Sequence, residues 1–465
     1  MRARNLLHRP RSLLRWLKDH PAKAGAIAGW YQQLASGVIT LAMIPLVVHR
    51  LSKEGAGIWF SFQNLSAMVI LTDFGIGFVI ARQTAFSKGA GAENAARPPG
   101  DFITTTPGLA GVAELHAATR VIFNRVVFIA VALLIVIYEL ILPHGELLRG
   151  QSSTLRPAWY LLGGSAILLL RSTQYLAFID GFGKMFLTRF LSGTYQFVCG
   201  IAVIIALLFV QNITVLATVT AIVTALFLLT AQRVFLRNME NEPSRVASPR
   251  PDLVRSVWKV AAPMGIVGIG NYFVTLAQVP LLGSLLGPAL VAPFYTAQKI
   301  GQTLNAAVIQ MTQPQMPLFT HAVAAGQSES ALHRMERIMR FTLAIAIILN
   351  LGFFLFSPLF VKVWMGPVHY VDRLTLGFLA MNYFLSVVTV VAASFVLSSG
   401  INPFMWSALA MGALTLVGCF LFSRWLGVAG IALSGLIAGT LTNYWYFSYR
   451  ALRLRRELKT QSVTG

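Results

Sequence analysis

About twelve apolar runs, each near twenty residues long and set off by glycine, proline or charge, constrain this chain more than any other feature. A membrane-crossing helix needs about 20 apolar residues. In lipid the backbone must hydrogen-bond to itself, so long apolar runs have few options besides helix. The runs lie near 27–49, 57–81, 120–142, 158–180, 190–210, 213–236, 257–284, 291–316, 339–363, 374–398, 403–423 and 428–449. The expected fold is an all-α polytopic membrane protein with about 12 transmembrane helices. Charge supports that class: 11% of residues are charged, against about 25% in a soluble domain.

The polar stretch from Ser244 to Pro251 (SRVASPRP) cannot span and separates the runs into two groups of six. The expected organisation is a basic segment 1–26, an N-terminal six-helix lobe 27–236, a linker 237–256, a C-terminal six-helix lobe 257–450 and a basic tail 451–465. In the first segment Leu6, Leu13, Leu14 and Leu17 share a face opposite Arg11, Arg15 and Lys18, as in a short interfacial helix on an anionic leaflet. A solvated basic tail is the plainer alternative. The first apolar run is long and followed by many more, so it reads as a retained span and not a cleaved leader.

The net charge of +21 could suggest nucleic acid, but its placement argues otherwise. Arg2 to Lys23, the cluster from Arg82 to Arg125, Lys184/Arg189, Arg233 to Lys259, Arg334/Arg337/Arg340 and Arg450 to Lys459 all fall on one side of a twelve-span topology. The other side holds Arg50, Lys53, Arg149, Arg156, Lys362, Arg373 and Arg424. Basic loops stay inside, so both termini and the linker are expected in the cytoplasm. The inward loop Gln83 to Ala118 is the longest, while the outward loops are short.

A loose repeat joins the halves. Pro45-Leu46 leads through Leu51 to Trp59-Phe60 and Gln63; 235 residues later Pro280-Leu281 leads through Leu286 to Phe294-Tyr295 and Gln298. Repeated lobes around a central site are the plan of many transporters. With six spans each, the lobes share one orientation.

These residues also carry a resemblance. Leu285-Leu286-Gly287-Pro288-Ala289 followed by Phe294-Tyr295-Thr296-Ala297-Gln298-Lys299-Ile300 resembles the "LLGP…YxxAxKI" stretch of Wzx-type polysaccharide (O-antigen) flippases. These belong to the multidrug/oligosaccharidyl-lipid/polysaccharide (MOP) exporter superfamily, whose fold is MATE-like. Pro45 to Trp59 resembles the family's "P…RxLGxxxxGxW", and Leu71 to Gly77 its "LLDFGLG". The resemblance implies a carrier in the bacterial inner membrane that moves an undecaprenyl-pyrophosphate-linked oligosaccharide outward by alternating access for surface polysaccharide biosynthesis. It implies as partners the lipid-linked substrate, membrane lipids, and a polysaccharide polymerase with its chain-length regulator. It implies no cofactor. One departure is that relatives carry an acid about seven residues before LLG, where this chain offers Gln278. That puts cation coupling through such an acid in doubt.

Ionisable groups inside spans cost about 3 kcal/mol and usually face a cavity or a partner. Arg171, in the inner half of span four, can grip phosphate bidentately or pair with Asp180 or Asp73. Lys299 lies beside a stripe formed by Gln298, Gln302 and Asn305 at helical spacing. Cations and amides together suit the phosphates and sugar hydroxyls of such a cargo. The same stripe could instead glue helices, with Lys299 snorkelling outward. Gln63, the repeat mate of Gln298, is a candidate of the same kind. Asp73 could bind a coupling ion, orient an arginine or serve structure alone. Asp180 reads as a turn residue. Pro263, Pro280, Pro314 and Pro317 could kink spans seven and eight.

No Walker loop occurs, so no built-in ATPase is expected. His116, His144, His321, His333 and His369 are scattered over expected loops without metal-ligand spacing, and Cys199 and Cys419 lie in different apolar runs. Neither a metal nor a catalytic residue is expected. The alternative, a cation-coupled multidrug antiporter of the same superfamily, should hold acids in its cavity; very few acids and at least two cations lie inside these spans, which argues against it. A polysaccharide polymerase or ligase would need a sizeable outward loop, and none is seen.

Overall fold

A computed structural model of the chain describes residues 21–89, 108–148, 150–239, 250–312, 328–366, 370–397 and 404–464. Among them the regular elements are all helical. In order they are α1 (Pro21–Arg50), α2 (Lys53–Ser66), α3 (Met68–Leu71), α4 (Ile76–Gly89), α5 (Gly108–Val136), α6 (Ser152–Gly181), α7 (Met185–Phe209), α8 (Ile213–Met239), α9 (Pro251–Thr275), α10 (Gln278–Leu286), α11 (Val291–Thr312), α12 (Ser328–Met365), α13 (Arg373–Leu397), α14 (Met405–Leu426), α15 (Val428–Leu441) and α16 (Asn443–Thr464). A π turn at Ile137–Ile141 and two 3-10 turns carry the chain from α5 to α6.

Nine helices among the described residues are long and apolar enough to cross a membrane, and a bent pair spanning Lys53 to Ser87 makes a tenth. The two remaining expected runs are α11, which carries more polar residues, and the α15/α16 pair, where a break at Thr442 leaves the apolar α15 only 14 residues long before the polar α16. The chain is an all-α, multi-pass membrane protein. Large apolar side chains point outward along these helices, Phe128, Ile348 and Val363 being 79%, 68% and 80% exposed. Such exposure suits a hydrocarbon solvent.

Several expected boundaries shift. The third span starts at Gly108 and not near 120, so His116, expected in a loop, is helical and packs on Phe235 at 4.9 Å. The expected second span is broken at Thr72–Gly75 and bent by 44°. Phe74 (φ 47°) and Gly75 (φ 71°) adopt left-handed backbone there, a conformation costly for phenylalanine. The expected seventh span breaks at Leu276-Ala277, whose amides both donate to the Tyr272 carbonyl. Pro280 therefore sits in the first turn of α10, where a missing N–H loses nothing. The N-terminal interfacial helix, most of the Ser244–Pro251 linker, Pro314 and Pro317 lie outside the described residues.

Contacts group the chain into two units. One comprises Met1–Met43, Thr72–Leu134 and Pro157–Ala262; the other comprises Ile44–Leu71, Ile135–Arg156 and Pro263–Gly465. In the first unit α7 and α8 pack along their length, and Tyr195 hydroxyl bonds Thr224 at 2.9 Å. In the second, α14 and α15 form the most intimate pair, and α2 packs on α10 and α11. Small residues permit the approach: a Cβ on Gly57 would lie 1.8 Å from the Pro288 carbonyl oxygen, and one on Gly412 would lie 2.9 Å from the Gly270 Cα. Bare backbone contact of this sort replaces the hydrophobic drive that lipid does not supply.

Candidate functional site

The break between α9 and α10 creates the main site of the second unit. A helix end leaves carbonyls without partners, and Gln302 on α11 donates to the exposed Thr275 carbonyl at 3.3 Å. Gln278 opens α10 with its side chain buried, and its Oε1 accepts from Gln298 Nε2 at 3.4 Å. Two turns beyond Gln298 on α11, Asn305 Nδ2 donates to the Tyr383 carbonyl at 3.0 Å, and Tyr383 hydroxyl donates back to the Gln298 carbonyl at 3.0 Å. These reciprocal bonds fix α11 against α13. On α13 and α16, Tyr444 hydroxyl donates to Asn382 Oδ1, and Asn443 Nδ2 bonds Met411 Sδ at 3.0 Å.

These groups line a cavity of about 500 Å³, within the usual range for small-ligand sites of roughly 300–1,000 Å³. Asn271, Gln278, Gln298, Gln302, Asn305, Asn382 and Asn443 all reach its wall, with Tyr383, Tyr444, Ser386 and Thr389 between them. No charged side chain is among the described residues that line it. Gln278 Nε2 and the side-chain oxygens of Gln298, Asn305 and Asn443 are buried without a hydrogen-bond partner. An unpaired buried polar atom costs about 1–3 kcal/mol. Side chains that line the cavity therefore carry one donor and three acceptors that are buried and unpaired.

The expected stripe of Gln298, Gln302 and Asn305 is thus brought together on one wall. Lys299 is not part of it. Its Nζ lies 5.3 Å from the Tyr295 ring centroid, and Tyr295 in turn stacks on Phe60. One residue along a helix is a rotation of about 100°, which takes Lys299 onto another face. Gln63 is half-buried on α2 and also lies away from the cavity. Asn271, Asn382 and Asn443 escaped the sequence reading. Their signal was present, since an amide inside an apolar span is expensive unless it is used.

Arg171 belongs to the first unit. It is half-buried on α6, with Nη1 donating to Gln174 Oε1 at 3.4 Å and Nη2 donating to Asn124 Oδ1 on α5. Gln174 is held in turn by Thr119 at 3.2 Å. Arg120, one turn from Asn124, is near enough to repel the Arg171 charge. Among the described residues no carboxylate pairs with Arg171. The ion pairs considered from sequence are not formed: Asp180 accepts from Thr188, and Asp73 Oδ2 accepts from the Gly77 amide at 3.4 Å. Asp73 thereby caps α4 after the left-handed break, while its Oδ1 is buried without a partner. Asp180, at the last turn of α6, ties the turn into α7 as a turn residue would.

No protein-family model matches the chain, and no curated protein sequence matches it. Solved structures do. A multidrug resistance MATE family transporter of the MOP superfamily in outward-facing conformation superposes with a TM-score of 0.60 at 14% identity, over 96% of this chain and 97% of that one. The inward-facing conformation of such a transporter gives 0.55 at 15%, over 93% and 96%. A MOP superfamily transporter from Pyrococcus furiosus Vc1, described by a reverse polarity of its binding pocket that suggests a different function, gives 0.55 at 15%, over 94% and 97%. Over nearly its full length, the chain has the fold of these MATE transporters of the MOP superfamily.

Proposed function

We propose that this protein is a carrier, not an enzyme, that moves a lipid-linked oligosaccharide across the membrane by alternating access between two six-helix lobes. The observation that carries the reading is the charge-free, amide-lined cavity of the second unit. Sugar hydroxyls donate and accept, and amides answer both needs. A cationic drug would be poorly served there, because desolvating a charge without an acid partner is costly. Arg171, in the first unit, offers a separate recognition element. Held by neutral amides, its charge remains available for a pyrophosphate, which a guanidinium can grip through two parallel bonds. The prenyl tail stays in lipid.

Such a carrier belongs in the bacterial inner membrane with both termini in the cytoplasm, serving surface polysaccharide assembly beside a polymerase and a chain-length regulator. A membrane potential, positive outside, favours outward movement of an anionic cargo by about 2.3 kcal/mol per charge per 100 mV. The energy source need not be ATP.

A cation-coupled multidrug antiporter is the second reading, favoured by the description of two of the structures with this fold as multidrug transporters. The Pyrococcus furiosus structure, with its reversed pocket polarity, indicates that the fold alone does not dictate the charge of the cargo. Mass spectrometry of the lipid fraction from cells lacking the protein separates the two. The flippase reading expects an accumulated polyprenyl-pyrophosphate oligosaccharide, whose mass names the glycan. No accumulation, together with new sensitivity to cationic drugs, selects the antiporter.

A further inference from the structure

A second, smaller cavity of about 230 Å³ opens between α12, α13 and α16 of the second unit. Its walls are apolar, formed by Met339, Val388, Ala392, Phe395, Ala451 and Leu452. Water is a poor occupant of such a groove, since apolar surface left wet forgoes about 25 cal/mol per Å². At one end Arg455 Nη2 meets Glu336 Oε1 at 2.6 Å. That pair spends the one acid lining the groove and leaves Arg455 Nε buried without a hydrogen-bond partner.

In sequence, Arg337 and Arg340 follow Glu336 on α12, and Arg450, Arg453 and Arg456 neighbour Arg455 on α16, against the single acid Glu457. An apolar slot ending in the guanidinium of Arg455, whose side chain is 40% exposed, has the polarity of a single lipid molecule: tail in the slot, phosphate at the arginine. We infer that the groove between α12, α13 and α16 binds one anionic glycerophospholipid, with an acyl chain against Ala392, Phe395 and Ala451 and the headgroup phosphate accepting from Arg455. The site is independent of the transported cargo and of the amide cavity. Juxtamembrane arginines draw anionic lipid from the leaflet they face, and the groove would convert that loose attraction into a seat of fixed stoichiometry.

Native mass spectrometry of the full-length protein, delipidated and then titrated with phosphatidylglycerol or phosphatidylcholine, tests the inference. The expected result is one retained phosphatidylglycerol, with phosphatidylcholine held more weakly by about fivefold or more. Arg455→Gln should erase the headgroup preference, and Ser448→Phe, which fills the groove from a residue bonded only within its own helix, should reduce retention of both lipids. Size-exclusion profiles of the variants identify misfolding, and Arg455→Lys, which keeps the charge, should restore most of the preference. Equal retention of the two lipids by the wild type, a preference for added polyprenyl phosphate over phosphatidylglycerol, a phosphatidylglycerol preference unchanged in folded Arg455→Gln, or lipid retention unchanged in folded Ser448→Phe would overturn it.

Discussion

Phe60 and Tyr295 stack ring on ring, with centroids 4.1 Å apart and planes within 17°. They are also the equivalent positions of the sequence repeat, 235 residues apart. The two copies of the repeated segment therefore meet at their shared aromatic, inside one unit. Lys299 sits over the same Tyr295 ring, so its cation is engaged by this stack and not by the amide cavity.

The stack should behave as a coupled pair. Phe60→Ala and Tyr295→Ala each remove a fully buried ring, at about 3–5 kcal/mol. The double variant should lose less than the sum by about 0.5–1.5 kcal/mol, the contribution of an aromatic pair beyond buried area. A thermal-melt double-mutant cycle in detergent reads this; strict additivity would remove the pairing.

Glycine substitutions should divide sharply by position. Gly57→Ala places a Cβ 1.8 Å from a backbone oxygen that cannot swing aside, so little monodisperse protein is expected. Gly164→Ala meets nothing within 4 Å on α6 and should match wild type or gain about 0.5–1 kcal/mol from helix propensity. Fluorescence-detected size exclusion of the two variants checks the contrast.

The two intramembrane cations should differ in consequence. Arg171→Gln should lower lipid-linked oligosaccharide export by about ten- to a hundredfold, the worth of losing hydrogen bonds to a charged group. Arg171→Lys, which lacks the planar fork, should recover only part of it. Lys299→Met should keep most of the export, because its ammonium faces an aromatic ring. Comparable losses in Arg171→Gln and Lys299→Met would return Lys299 to the binding machinery.

The amide cavity should not tolerate charge. Gln278→Glu and Gln298→Glu bury a carboxylate among neutral amides and should reduce export by about tenfold or more while raising retention of a cationic dye. Export measured by surface glycan labelling, beside dye binding to the purified variants, distinguishes loss of cargo affinity from loss of folding. Unchanged export would show that sugars do not enter this cavity.

The sequence announced the membrane class because run length and hydropathy are local properties, and the stripe Gln298/Gln302/Asn305 because helical spacing is local too. Only three of the seven amides lining the cavity were legible, for a physical reason. Its other amides come from α9, α10, α13 and α16, and nothing in one chain's spacing says which of these helices converge. The repeat disclosed that Phe60 and Tyr295 are equivalent, but equivalence does not imply contact. Span boundaries were misjudged where helices continue into polar turns, as at Gly108 to Arg120, because backbone bonding persists after the apolar signal has faded. The left-handed Phe74 was hidden as well, since only its glycine neighbours advertise a break.

Reconstitution addresses the central claim most directly: purified protein in vesicles carrying a fluorescent polyprenyl-pyrophosphate oligosaccharide in one leaflet, with its arrival in the other followed by glycosidase accessibility. The account predicts protein-dependent crossing that falls in both Arg171→Gln and Gln298→Glu. No crossing, combined with uptake of a cationic dye driven by an ion gradient, would contradict it.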